Sequence, residues 1–323
     1  MVAFEINRQA DAMTPNNIKF SIIIPCYNAC GYVSRAMDSA LAQNRADYEI
    51  IAIDDGSTDN TGEILRSYVS NHEGLICCIR QENKGPAAAR NAGIFASKGE
   101  YLLFLDADDQ LSPDALLIFE KELSDGDLKY GFVYAGHYSV DTSGRVKRLC
   151  PKTKAIDHHR DFKLLIAGKK NVSPTHGAII VHKQCFQKLS YPETIRCNED
   201  FVLFAHLFAL YSGRSISRPV VYKYKRSGSL RSDKGAIVEA LENAPDLLFD
   251  PSILPVEYFR FKSLYVAKRY LEKARAHFKC REFFQFRQTF HQAVGIHPGV
   301  IFKPRFLIRY LRSLTHVPFR HEQ

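Results

Sequence analysis

No stretch of about 18 uncharged apolar residues occurs anywhere in this chain of 323 residues, which excludes a single helix of bilayer-spanning length. Met1 to Asn17 lack an apolar core ahead of a small-residue cleavage site, so no secretory signal is expected there. CxxC pairs are missing as well. The eight cysteines (Cys26, Cys30, Cys77, Cys78, Cys150, Cys185, Cys197 and Cys280) lack the spacing of a zinc site or a disulfide framework. They are expected to be free thiols in a reducing, cytoplasmic compartment. Neither an internal repeat nor a low-complexity segment is present, and His158, His159 and the C-terminal histidines show no metal spacing.

What is present is unevenly charged. The net charge is +9, yet residues 251–323 hold 14 lysines and arginines against 4 acidic residues, which leaves the rest close to neutral. A neutral body with a basic tail points to an anionic partner for the tail alone. The plain alternative is a solvated helical face.

Short apolar runs alternate with helical spacing over the first third of the chain. Phe20 to Pro25, Glu49 to Ile53, Leu75 to Ile79 and Tyr101 to Leu105 read as strands. Tyr32 to Ala42, Ile64 to Val69, Ala87 to Ala96 and a segment capped by Ser112 read as helices. Four such alternations predict an α/β, Rossmann-like, mostly parallel sheet flanked by helices. Ligands bind such sheets at the carboxyl ends of the strands. Those ends carry Pro25-Cys26-Tyr27-Asn28, Asp54-Asp55-Gly56-Ser57 and Asp106-Ala107-Asp108-Asp109. Further strands are expected at Phe132 to Tyr138 and Ala178 to Val181, and a helix from Glu199 to Tyr211. Residues 236–292 are expected to be mostly helical, with a basic amphipathic helix from Phe306 to Leu314.

The clusters suggest chemistry. Asp106 and Asp108, one residue apart after an apolar strand, can converge on Mg²⁺ or Mn²⁺, which favour oxygen ligands and complete their shells with phosphate and water. A solvated acidic turn is the plainer reading. Asp54 and Asp55 can accept from a ribose hydroxyl or a base N–H, or from their own turn. Lys84, Arg90 and Asn91 lie at a helix start after a glycine turn, where phosphate is well received, with an exposed helix face as the plainer reading. His176 is either a contact to sugar or acceptor or a satisfied structural histidine.

The order SIIIPCYN (21–28), EIIAIDDGSTDNT (49–61), NKGPAAARNAGI (83–94) and GEYLLFLDADD (99–109) resembles glycosyltransferase family 2 with the GT-A fold. Asn198-Glu199-Asp200 resembles the family's ED motif, with Asn198 where many relatives carry glycine. Tyr222 to Ser229 resembles the loop that closes over a donor diphosphate. The resemblance implies that Pro25, Tyr27 and Asp55 hold the base, with Asn28 and Asp54 beside them. It implies that Asp106 lies at the ribose or metal, that Asp108 ligates Mn²⁺ or Mg²⁺, and that Arg226 and Ser229 contact the diphosphate. Asp200 would be the catalytic base, with Glu199 next to it. The expected activity is inverting transfer of a sugar from a nucleotide diphosphate, UDP first among them, to a hydroxyl of a glycan, lipid-linked glycan or other acceptor in bacterial surface polysaccharide or glycoconjugate synthesis.

Two other functions are weighed. A sugar nucleotidyltransferase would favour a glycine-rich, basic signature after the first strand, where this chain has PCYNACGY. A non-catalytic sugar-binding relative would not need an intact DxD and ED pair. The expected organisation is a catalytic domain over 17–235, with a nucleotide-sugar-binding half (17–115) and an acceptor half (116–235), followed by a helical basic extension over 236–323. Residues 300–323 mix Phe302, Phe306, Leu307, Tyr310 and Leu311 with Lys303, Arg305, Arg309 and Arg312, which suits peripheral association with an anionic membrane. No nucleic-acid-binding module is recognised.

Overall fold

A strand that is apolar at every position must be covered on both faces. The computed structural model describes residues 5–6, 18–124, 130–152, 154–169, 172–226, 242–302 and 304–314. Along the chain it has β1 (Glu5–Ile6), β2 (Phe20–Cys26), α1 (Val33–Leu41), β3 (Tyr48–Asp55), α2 (Thr61–Asn71), β4 (Ile76–Gln81), α3 (Pro86–Ala96) and β5 (Tyr101–Phe104). Then come β6 (Gln110–Leu111), α4 (Ala115–Ser124), β7 (Phe132–Val140), β8 (Val146–Leu149), β9 (Lys154–Ala155), α5 (His158–Ile166), β10 (Ile179–His182), α6 (Glu199–Leu210) and β11 (Gly213–Tyr224). The extension contributes α7 (Lys262–Lys279), α8 (Phe283–Ile296) and α9 (Pro304–Leu314).

The described strands form one sheet in the order β1-β4-β3-β2-β5-β10-β7-β11-β6, with β8 on β7 and β9 on β11. Strands β4, β3, β2 and β5 are mutually parallel, as the alternation predicts. Beyond them β10 inserts antiparallel between β5 and β7, and β11 runs parallel to β7. The sheet is therefore mixed, and it runs unbroken across the expected 115/116 division.

Period-two geometry divides the central strands between two cores. Ile23, Ile51, Ile53, Leu102 and Phe104 face one side, where α3, α5 and α6 pack. Ile22, Ile24, Ile50, Ala52 and Leu103 face the other, with Val33, Ala36 and Met37 of α1. Gly93 lets α3 lie close on β2, since a Cβ there would come within 2.3 Å of Ile23 Cγ2.

The extension has two parts. Ala244, Leu248, Tyr258, Phe261 and Tyr265 join the core on the α6 side of the sheet. A separate small core begins at Ala267 and gathers Leu271, Ala274, Phe286, Phe290, Ala293 and Val300. No helix among the described residues is long and apolar enough to cross a membrane. None of the eight cysteines is in a disulfide.

Candidate active site

The carboxyl end of β2 delivers Pro25, Tyr27 and Asn28. Tyr27 is exposed, and Asn28 takes a left-handed backbone (φ 47). Asn28 ties this turn to the next one: its N–H donates to Ser57 Oγ (3.1 Å) and its Oδ1 accepts from the Thr58 N–H (2.9 Å). At the end of β3, Asp54 accepts from the Ser57 N–H (2.9 Å) and from Arg80 Nη1 (2.7 Å). Asp55 accepts from Gln81 Nε2 (2.7 Å) and from the backbone N–H groups of Lys84 (3.0 Å) and Gly85 (2.8 Å). Both carboxylates are buried and already hold the turns together. Gly56 (φ 72) is required there, because a Cβ would approach the Asn83 backbone nitrogen to 2.8 Å.

Beyond β5 lies the acidic cluster. Ligand oxygens of Asp106, Asp108 and Asp109 all fall within 4.8 Å of one another. A set of three carboxylates at such spacing fits a hard divalent cation. Here protein cations balance the charge. Lys223 Nζ reaches Asp106 Oδ2 (3.2 Å) and Asp109 Oδ2, and Arg226 Nη2 reaches Asp108 Oδ2 (2.6 Å). Burial, opposed by Lys223 and reinforced by the charges of Asp106 and Asp108, pushes the Asp109 carboxyl up to about 7. Burial would raise Asp106 too, but Lys223, His176 and Arg90 together hold it well below the usual carboxylate range. Pairing of Tyr222 with Gln110 across β11 and β6 is what brings Lys223 onto these acids.

Arg90, on α3, is buried. Its Nη2 donates to Asp106 Oδ1 and its Nη1 to Glu199 Oε1, both at 2.9 Å. One guanidinium thus joins the end of β5 to the start of α6. Its proton is held more tightly than usual because Asp106 and Glu199 outweigh its burial. Glu199 is pushed up to about 7 by burial first and by Asp200 second, against the pull of Arg90. Asp200, beside it in the first turn of α6, is half-buried and accepts from the Phe201 N–H (2.7 Å). Asn198, immediately before, is left-handed (φ 66), a conformation that glycine adopts freely and asparagine tolerates. Arg269 of α7 donates to Asn198 Oδ1 (3.2 Å), with its guanidinium 5.5 Å from the Phe201 ring centre.

His176 is buried against the same network. Its Nδ1 is 3.4 Å from Asp106 Oδ1 and its Nε2 is 3.0 Å from the Tyr191 hydroxyl. Burial and the nearby Arg90 charge lower its pKa, which favours neutral imidazole.

The structure therefore brings Asp106, Asp108, Arg90, His176, Glu199, Asp200 and Arg226 into one constellation. It places Asp54, Asp55 and the Lys84 backbone on neighbouring turns. The Lys84 side chain is exposed, and Ser229 lies outside the described residues. Arg90, read from sequence as a phosphate contact, has both Nη atoms engaged by carboxylates instead. Sequence reasoning missed Lys223 and Tyr191 and gave Asp109 no role. Lys223 stood within the segment Tyr222–Ser229 that had been singled out, so that motif was the available signal.

The model of the family described as "Glycosyl transferase family 2" matches residues 21–186. An uncharacterised glycosyltransferase of Haemophilus influenzae is 29% identical over 218 residues, covering 67% of this chain and 80% of that protein. A poly(ribitol-phosphate) beta-glucosyltransferase of Bacillus spizizenii is 32% identical over 223 residues, covering 65% of this chain and only 33% of its own length. Among solved structures, S. aureus TarS 1-349 in complex with UDP-GlcNAc superposes with a TM-score of 0.62 at 19% identity, covering 92% of this chain and 89% of that one. At that identity the superposition shows a shared fold.

Proposed function

The chain belongs to glycosyltransferase family 2, and from that premise we propose that it transfers a sugar, with inversion, from UDP-sugar to a hydroxyl of a cell-surface polysaccharide or glycoconjugate on the cytoplasmic side of the membrane. The observation that carries this reading is the Arg90 bridge, which makes the DxD strand end and the ED helix start a single site. A bacterial relative named as a poly(ribitol-phosphate) glucosyltransferase and a superposable fold that binds UDP-GlcNAc support the choice of donor and acceptor class.

In the proposed reaction Asp200 takes the proton from the acceptor hydroxyl as that oxygen attacks the anomeric carbon. The bond from that carbon to the diphosphate oxygen breaks, and UDP leaves with the electron pair from the opposite face. A positioned base of this kind contributes about 10²–10⁴-fold. Glu199 sits where Arg90 fixes it, and its role is to keep the start of α6 in register with the acidic cluster. Asp108, with Asp106 and Asp109, would hold Mn²⁺ or Mg²⁺, which supplies charge stabilisation for the departing diphosphate. Lys223 and Arg226 are the cations next to that cluster and would turn from carboxylate to diphosphate when donor enters. Pro25, Tyr27, Asn28, Asp54 and Asp55 would form the floor for base and ribose, and His176 a neutral wall toward the sugar.

The test is product analysis with a panel of UDP-sugars, with and without Mn²⁺. UDP should be released, and Asp108→Ala should lose the metal-dependent part of the rate. Release of pyrophosphate would assign the protein to sugar activation instead.

A further inference from the structure

Helix α9 presents two apolar faces. Phe306 and Tyr310 turn onto α8: their ring centres lie 6.4 and 5.4 Å from that of Phe290, and the Tyr310 hydroxyl is 2.8 Å from His291 Nε2. Ser313, about one turn on, is buried on the same side. Leu307, Ile308, Leu311 and Leu314 occupy the other side and are 43, 51, 56 and 48% exposed, and Phe302, just ahead of the helix, is 85% exposed. Single exposed apolar residues are ordinary, but aliphatic side chains on successive turns of one face make a patch.

Helical spacing sets Arg305, Arg309 and Arg312 as a stripe along the edge of that patch. Arg309 and Arg312, with Phe278, Lys279, Arg281 and Phe283, line an open cleft of about 690 Å³ between α9 and the junction of α7 with α8. The Arg309 guanidinium lies over the Phe278 and Phe306 rings (5.8 and 5.4 Å) and so stands at the boundary between apolar and charged surface. No acidic residue occurs from Pro298 to Leu314.

We infer that this surface docks the protein on an anionic lipid bilayer, with α9 lying in the interfacial plane. Leu307, Ile308, Leu311 and Leu314 enter the acyl boundary, and the arginine stripe and its cleft meet the lipid phosphates. The two kinds of side chain together select this occupant. A soluble polyanion would use the cations and leave four aliphatic side chains in water. A second copy of the chain seated on this face would offer the arginine stripe no carboxylate from its own α9. The docking does not depend on the sugar-transfer reading, and either can fail alone.

Sedimentation with vesicles of phosphatidylcholine, and of phosphatidylcholine with an equal part of phosphatidylglycerol, tests it on the full chain. Selective binding to the anionic vesicles is expected. Leu307→Asp with Leu311→Asp should weaken it at least tenfold, because it sets charge among the acyl chains. Arg305→Glu with Arg312→Glu should weaken it by more than about twenty-fivefold, at about fivefold per cation removed. Because the substituted positions are at the surface, the thermal midpoints should stay at the wild-type value. Equal partitioning of the wild type between the two vesicles would overturn the inference. So would leucine variants that bind anionic vesicles as the wild type does, the result expected of a purely polyanion-binding surface. Sedimentation velocity showing that the leucine pair abolishes a dimer, with vesicle binding unchanged, would assign the face to self-association.

Discussion

Glu199 and Asp109 both have carboxyls pushed up to about 7, from ordinary values of 4.5 and 3.8. A group with a raised folded-state pKa stabilises fully below its unfolded value, and that contribution is lost as pH rises through the folded value. The contribution of these two carboxyls should therefore fall between about pH 4 and about pH 7, while buried His176 and His206, with pKa values lowered from 6.5, act the other way below that value. Glu199→Gln should make the thermal midpoint fall less, or rise more, over that window than in the wild type; an unchanged pH profile would contradict the assignment. A cation bound by Asp109 competes with its proton, so the midpoint gain on adding Mn²⁺ should be larger at about pH 8 than at about pH 6. Arg90 is the counterion of two carboxylates, one on each side of the site. Arg90→Met should cost about 3–5 kcal/mol, measured by urea unfolding, since it strands buried charge. A loss below about 1 kcal/mol would mean that Asp106 and Glu199 find other partners.

Two elements meet at the proposed base, and only one of them was readable as part of the site. The start of α6 carries Glu199 and Asp200, while α7 belongs to the extension whose role the sequence left open. Arg269 nevertheless reaches from α7 to the left-handed turn at Asn198. Arg269→Ala should lower kcat by about tenfold to a hundredfold, with little change in donor KM, because misplacement of a catalytic group acts on the chemical step. Equal loss of donor affinity would place Arg269 in the binding surface. The contrast shows what a sequence can disclose. Asp55 was legible because it closes an apolar strand, and Asp106 and Asp108 because they follow one, and ligands bind parallel sheets at the carboxyl ends of the strands. Asp200 was legible through its motif. Lys223 was not, because its contact with Asp106 spans 117 positions and depends on the two-residue strand β6, too short to leave a hydrophobic pattern. The antiparallel insertion of β10 escaped for a related reason: Ile179–His182 is apolar in any orientation, and strand direction comes from the connections.

At the scale of the whole molecule, charge and core divide the chain in the same place. The sheet and its two flanking cores carry the candidate chemistry, and residues 244–265 close the core on the α6 side. From Ala267 onward a second core supports a basic, partly apolar surface. One part of the protein thus carries the acidic cluster of the candidate site, and the other presents a basic surface. The central claim is that the strand end at Asp108 and the helix start at Asp200 serve one bound donor, the first holding it and the second reacting with the acceptor. The most direct measurement is calorimetric titration of UDP-sugar in Mn²⁺ into Asp200→Asn, alongside its transfer rate. The account predicts donor affinity within about twofold of wild type and a rate lower by about 10²-fold or more. Loss of donor binding, or a rate that survives the substitution, would contradict it.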